Sequence, residues 1–381
     1  MRITVNAEPM TGLLTGINRY LRNLYQAILS EQTLETHFLL PELSQLTLPA
    51  AGDSHLWQKK TARIRKIPDA LLCALRSGRW LYYENRLRAQ LRRLQPALHH
   101  ETAFTPAAID HLVPQVFTLH DLSLRHWRSM HPRERIWYAD IFFARRLQEA
   151  DHIITPSQFI RQELNQSFKI PLARITAIAE AADPIFRVLP EPEVQAVLNR
   201  LQLPAEYLLF VGSLEPRKNI VTLIQALSQV RSDIPLVLTG WSGWGAKPWL
   251  KSLQEYRLSH RVLTTGHVSD DDLVALYNGA TIMIYPSLYE GFGLPVIEAM
   301  ACGCPVITSD RASLPEVAGS AATLLAEPTS ADELSFAIDK LLDDSSLRQK
   351  FSAQGLVQAA SFSWAQTARE TISVFRDVAG V

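Results

Sequence analysis

At 381 residues the chain is long for one hydrophobic core, and at ~150 residues per domain it divides naturally into two. Its 38 basic residues balance 38 acidic ones, so no global charge draws it to nucleic acid, and 47% hydrophobic content argues against disorder. Three cysteines are too few for a disulfide framework, no run of ~18 apolar residues is present to span a bilayer, and with the strand-like start MRITVNA no signal peptide is expected.

These bounds describe a cytoplasmic protein, soluble or attached peripherally to the inner face of the membrane. Residues 3–7 read as the first strand. Gly12 and Gly16 punctuate the loop TGLLTGINRY, before a helix with Ile17, Tyr20, Leu21, Leu24, Tyr25 and Ile28 on one face. Such a loop either lets backbone approach a phosphate or sugar, or is simply a connection.

From Trp57 to Arg93 the chain is basic and aromatic. Lys59, Lys60, Arg63, Arg65, Lys66, Arg76, Arg79, Arg86, Arg88, Arg92 and Arg93 face only Asp69 and Glu84 in the sequence, with Trp57, Trp80, Tyr82 and Tyr83 interleaved. The pattern fits a solvated helical face, or a surface that docks on anionic lipid or on a pyrophosphate-linked lipid. No nucleic-acid motif accompanies it.

Residues 116–119 form another strand-like run ending in His120-Asp121, which puts the imidazole at a strand's carboxyl end; Asp121 either orients it or caps the next turn. A strand then leads to Ser157 as a helix cap. Near residue 180 the composition shifts to IAEAADPIFRVLPEPE, which reads as an interdomain linker.

The second half opens with the strand 207–211 and the loop GSLEPRKN, with Asn219 as cap of the next helix. Arg217 and Lys218 therefore stand at a strand's carboxyl end beside free N–H groups, an arrangement suited to a departing diphosphate. Glu215 reads as a partner that orders Arg217. Strand 236–240 leads to GWSGWGAKPW, whose Trp241, Trp244 and Trp249 stack on a sugar or pack within the loop. Strand 262–266 is followed by His267 and Val268. Asp270–Asp272 looks like a metal-binding D-x-D, but Ser269 to Asp272 reads better as a capping box, so no metal is expected.

The organising stretch is YPSLYEGFGLPVIEAMACGCP, from Tyr285 to Pro305. An apolar strand enters it; Gly291 and Gly293 shape a turn, and Pro295 suits the first turn of a helix. Glu290 falls at the strand's carboxyl end, where open α/β sheets keep their ligands, and Glu298 follows near the first helical turn. The helix start suits an anion. Cys302 and Cys304 lack a second Cys/His pair and read as buried small residues. Ser330 to Glu333 reads as a second capping box, and residues 362–374 as a last helix.

Glu290 and Glu298 match the E-x7-E pattern of retaining nucleotide-sugar glycosyltransferases of the two-domain GT-B fold, and EGFGLPVIEAMACG resembles glycosyltransferase family 4. TLHDLSLRH, HIITPS and GSLEPRKN resemble further segments of that family. The resemblance implies an α/β protein with two Rossmann-like domains facing across a cleft. Residues 1–180 would bind acceptor, 181–360 the nucleotide sugar, and 361–381 would form a helix crossing back to the first domain near Trp364. It implies His120, Arg217, Lys218 and Glu290 as catalytic residues, His120 touching the transferred sugar and Glu290 its hydroxyls. Gly16, Gly212, Val268, Gly291, Phe292, Gly293 and Leu294 would line the donor, and Glu298 would hold the ribose. No cofactor or metal is implied. Bacterial O-antigen and capsule mannosyltransferases look most similar, which implies GDP-mannose as donor and a lipid-pyrophosphate-linked glycan as acceptor. UDP-glucose or another UDP-sugar, a UDP-N-acetylglucosamine epimerase, and a catalytically silent glycan- or lipid-binding subunit are the alternatives.

Overall fold

The computed structural model describes residues 1–11, 16–40, 44–50, 67–241 and 247–381. Gly12, Leu13, Leu14, Trp57, Lys59, Lys60, Arg63, Arg65, Lys66 and Trp244 lie outside the described residues. The chain forms two compact units, Met1–Glu180 with Trp364–Val381, and Ala181–Ser363.

The first unit contains β1 (Arg2–Asn6), β2 (Glu35–Leu39), β3 (Ser44–Gln45), β4 (Leu98–Glu101), β5 (Gln115–Thr118), β6 (His152–Thr155) and β7 (Ile175–Ala177). They pair in the order β3-β2-β1-β4-β5-β6-β7, parallel except for β3 against β2. Interior runs such as QVFT are buried at every position, as a parallel sheet covered on both faces requires. The final helix, Trp364–Ala379, packs on the helix Gly16–Ser30, and Trp364 meets Tyr20 edge-on at 5.8 Å.

The described part of the basic stretch is helical, in keeping with the helical face read from the sequence, but it is not left without acidic partners. Asp69–Leu94 is one 26-residue helix, and the acids it meets come from elsewhere: Arg79 pairs with Glu8, Arg76 with Glu134 at 3.4 Å and Arg88 with Asp110 at 2.9 Å. Glu84 is buried against Arg146. Of its aromatic residues Tyr83 turns into the core with Leu87 and Leu91, and Trp80 packs on that cluster. Leu71, Leu75, Leu81 and Tyr82 remain about half exposed.

The second unit contains β8 (Leu208–Val211), β9 (Leu236–Thr239), β10 (Val262–Gly266), β11 (Ile282–Tyr285), β12 (Val306–Ser309) and β13 (Thr323–Leu325). These form one sheet, β10-β9-β8-β11-β12-β13, in which every pairing is parallel. The chain order reverses between β8 and β11. Connections leaving the carboxyl ends of two such neighbours run to opposite faces of the sheet and open a crevice between them.

Helix starts follow the sequence in part. Ser157 accepts from the Ile160 N–H, Ser269 from Asp272 N–H and Ser330 from Glu333 N–H. The reciprocal half of each expected capping box is replaced: Glu333 accepts from the Ala326 and Glu327 N–H groups, and Asp272 pairs with Arg200. Asn219 occupies the cap position, but its amide donates to the carbonyls of Pro286 and Pro328.

Candidate active site

In the second unit the site is built where the sheet reverses. After β8 a single tight turn, Pro216–Lys218, carries the two cations and ends at Asn219 in a left-handed conformation, φ 60°. After β11 the chain runs Pro286 to Gly293 before the helix Leu294–Ala301. The two loops are stitched together: the Leu288 N–H donates to the Arg217 carbonyl at 2.9 Å, and the Asn219 amide reaches Pro286 at 3.2 Å.

At this seam Glu290 meets both cations. Its Oε1 accepts from Lys218 Nζ, from Tyr285 OH at 2.9 Å and from Ser287 Oγ at 2.5 Å, while Oε2 accepts from Arg217 Nη1 at 3.0 Å. Arg217 also donates to the Tyr289 carbonyl at 2.8 Å and lies 3.5 Å from Glu215, the ordering partner read from the sequence. Glu290 and Lys218 are each 7% exposed. Burial alone would push the Glu290 carboxyl up, but the charges of Arg217 and Lys218 outweigh it and hold it at about 2. Burial lowers the Lys218 pKa, Arg217 lowers it further, and Glu290 pulls it back up. Glu290 and Glu215 together match the two positive charges, so the cluster is neutral overall.

The glycine turn is held open by its neighbours. The Ser313 hydroxyl donates to the carbonyls of Glu290 at 3.0 Å and Phe292 at 2.7 Å. Gly293 has φ +116°, which L side chains rarely adopt, and a Cβ there would lie 2.7 Å from a Leu314 methyl group, so any side chain would strain the turn. Gly291, Phe292, Gly293 and Leu294 are all buried. Glu298, the fifth residue of the helix, lies just past the first turn and accepts from Tyr277 OH at 3.0 Å. Gly212 follows β8 with φ +148°, and Gly240 lies close against its carbonyl. Val268 is half-buried beside a stack of Trp241 on His267, ring centres 4.4 Å apart. Trp249 is buried in the helix Lys247–Glu255 that follows.

In the first unit His120 follows β5. Asp121 caps the next turn, accepting from the Ser123 N–H at 2.8 Å. The carboxylate beside His120 is Glu180 instead, its Oε1 3.4 Å from the imidazole Nδ1. Gly16 opens the first helix and is exposed.

Sequence reasoning brought Arg217 and Lys218 to one loop end and Glu290 to another, and the fold joins them. It missed Tyr285, Ser287, Ser313, Tyr277 and Glu180. Ser287 and Tyr285 flank Glu290 within the organising stretch, and that adjacency was a usable signal. Glu180 stood out only as one carboxylate in an apolar run, Ile178 to Ala182. All three cysteines are buried thiols, and burial pushes Cys304 up to about 12.

Residues 14–184 match glycosyltransferase family 4, and residues 198–357 match glycosyl transferases group 1. The chain is 32% identical to O-antigen chain mannosyltransferase B of Escherichia coli, over 99% of this chain and 100% of that one. Among solved structures, sucrose-phosphate synthase from Thermosynechococcus elongatus superposes with a TM-score of 0.75 at 21% identity, covering 99% of both chains. Anabaena HepE in complex with UDP and glucose superposes with a TM-score of 0.72 at 17% identity, over 99% of this chain and 100% of that one.

Proposed function

This chain belongs to glycosyltransferase family 4, of the α/β GT-B class, and from that membership we propose that it moves mannose from GDP-mannose onto a lipid-pyrophosphate-linked glycan in O-antigen assembly. The buried cluster of Arg217, Lys218 and Glu290 carries the reading. Breaking the anomeric C–O bond leaves an oxocarbenium-like carbon and a diphosphate with added negative charge. Arg217, Lys218 and the helix start at Leu294 stabilise that leaving group. Glu290 holds both cations in place and hydrogen-bonds hydroxyls of the donor sugar. Backbone N–H groups of Gly291 to Leu294 reach sugar and phosphate.

Glu298, oriented by Tyr277, takes the ribose hydroxyls. Gly212 and Val268 line the nucleotide, and His120 of the first unit accepts from a hydroxyl of the transferred sugar, with Gly16 near the phosphates. Attack on the face the diphosphate leaves, with that phosphate taking the acceptor proton, retains the anomeric configuration. Catalysis proceeds without a metal, so chelation with EDTA leaves turnover intact; loss restored by a divalent cation would overturn that point. No helix among the described residues is long and apolar enough to cross a membrane. The exposed face of helix Asp69–Leu94, with Leu71, Leu75, Tyr82, Arg92 and Arg93, suits attachment to the anionic inner leaflet.

A thermal-shift panel of nucleotide sugars tests the donor. GDP-mannose at a hundred times its Kd stabilises the binding unit by about 2.7 kcal/mol. A shift with UDP-glucose alone would move the assignment to UDP-sugars. Release of free sugar and UDP without acceptor would indicate an epimerase, and no shift and no turnover with any donor would indicate a silent binding subunit.

A further inference from the structure

His120 is held in an unusually determined setting. On one side the Tyr20 ring meets it edge-on, centroids 4.8 Å apart at 84°. On another, Glu180 Oε1 lies 3.4 Å from Nδ1, and the Glu180 side chain is only 5% exposed. The remaining nitrogen, Nε2, is buried and has no hydrogen-bond partner among the described residues.

We propose that Glu180 is a positioning residue: it accepts the Nδ1–H of His120 and so leaves Nε2 bare, as the acceptor for a ligand hydroxyl. A neutral imidazole carries one proton, and a carboxylate only accepts, so the nitrogen facing Glu180 is the protonated one. The lone pair then falls on the nitrogen that has no protein partner. A contact of 3.4 Å is long for this bond, and such contacts tighten when substrate arrives.

The support for Glu180 is itself fixed. The Ile178 N–H donates to the Thr155 carbonyl at 2.8 Å, anchoring the segment to β6. The Thr367 hydroxyl, on the last helix, donates to the Ala179 carbonyl at 2.7 Å. That same helix presents Trp364 to Tyr20 at 5.8 Å. One helix, distant in sequence, thus buttresses both groups that orient the imidazole.

The inference rests on the reading that His120 touches the transferred sugar, but its first test does not. In protein labelled with nitrogen-15 histidine, at mildly alkaline pH, the His120 ring should show Nδ1 protonated and Nε2 bare. Glu180→Gln should keep that tautomer, because the amide oxygen still accepts, and Glu180→Ala should lose it. A wild-type ring protonated at Nε2 overturns the proposal, whatever the donor proves to be.

In turnover, Glu180→Ala should lose about 10- to 100-fold in kcat, by analogy with the loss of the outer partner of a metal-ligating histidine, and Glu180→Gln should recover most of it. The double variant His120→Ala/Glu180→Ala should fall no further than His120→Ala alone. Losses that multiply would show that Glu180 acts independently of His120 and would also overturn the assignment.

Discussion

Replacing Lys218 by methionine separates the charge of the site from its packing. In the wild type Nζ donates to Tyr285 OH at 2.5 Å and to Glu290, and sits 5.0 Å over the Tyr285 ring. Methionine fills most of that volume without the charge. Breaking a buried ion pair from one side costs about 3–5 kcal/mol because the other charge is stranded. Here Glu290 keeps Tyr285, Ser287 and Arg217, so the loss should sit at the low end, about 3 kcal/mol. For a unit of this size that lowers Tm by about 6–12 °C, at about 2–4 °C per kcal/mol. Because Lys218 is buried, its removal costs the fold as well as the chemistry.

The catalytic loss is separate and larger in effect. Removing one preorganised donor from a developing anion costs about 10²–10³ in kcat, or about 2.7–4 kcal/mol. Initial rates of nucleoside diphosphate release, measured well below the variant's Tm, should show that fall mainly in kcat, since the charge is needed most in the transition state. A kcat within about threefold of wild type, a difference of under about 0.7 kcal/mol, would refute the leaving-group role. So would a rate loss that simply tracks the unfolded fraction.

Acid should loosen the two units through different groups. Burial, with His99 and His120 beside it, lowers the His100 pKa from 6.5 to about 3. The unfolded chain then takes a proton the folded one refuses, so the first unit loses up to about 1.4 kcal/mol per pH unit as pH falls from 6.5 toward 3. Glu290 is depressed from 4.5 to about 2, so its contribution is complete above 4.5 and is lost only between those values. Hydrogen exchange at about pH 5 should therefore show the first unit's core less protected than at neutrality and the second unit's unchanged on this account; equal loss in both would contradict it. Gly240→Ala should abolish soluble expression, because a Cβ there falls 2.1 Å from the Gly212 carbonyl oxygen at φ +138°. Gly266→Asn, with φ +69° and nothing within 4 Å of the added Cβ, should fold with near wild-type Tm, and a soluble, fully stable Gly240→Ala would show that pair to be less tightly closed.

By itself the sequence determined the local units of this protein. Unbroken apolar runs such as IMIY marked strands buried on both faces, and serines before acidic first turns marked helix starts. Arg217, Lys218, Glu290 and His120 could each be set at a strand's carboxyl end, because periodicity and turn chemistry act over a few neighbouring residues. Which of these ends meet was decided only by the tertiary structure. Lys218 and Glu290 are 72 residues apart and join because β8 pairs with β11 rather than with its successor in sequence alone. Glu180 reaches His120 from a stretch that read as a linker, and Glu8, Asp110 and Glu134 reach a helix whose own sequence offered few acids. Strand order and the burial of whole faces select such partners, and that selection sums over the entire core, so no short stretch of residues records it.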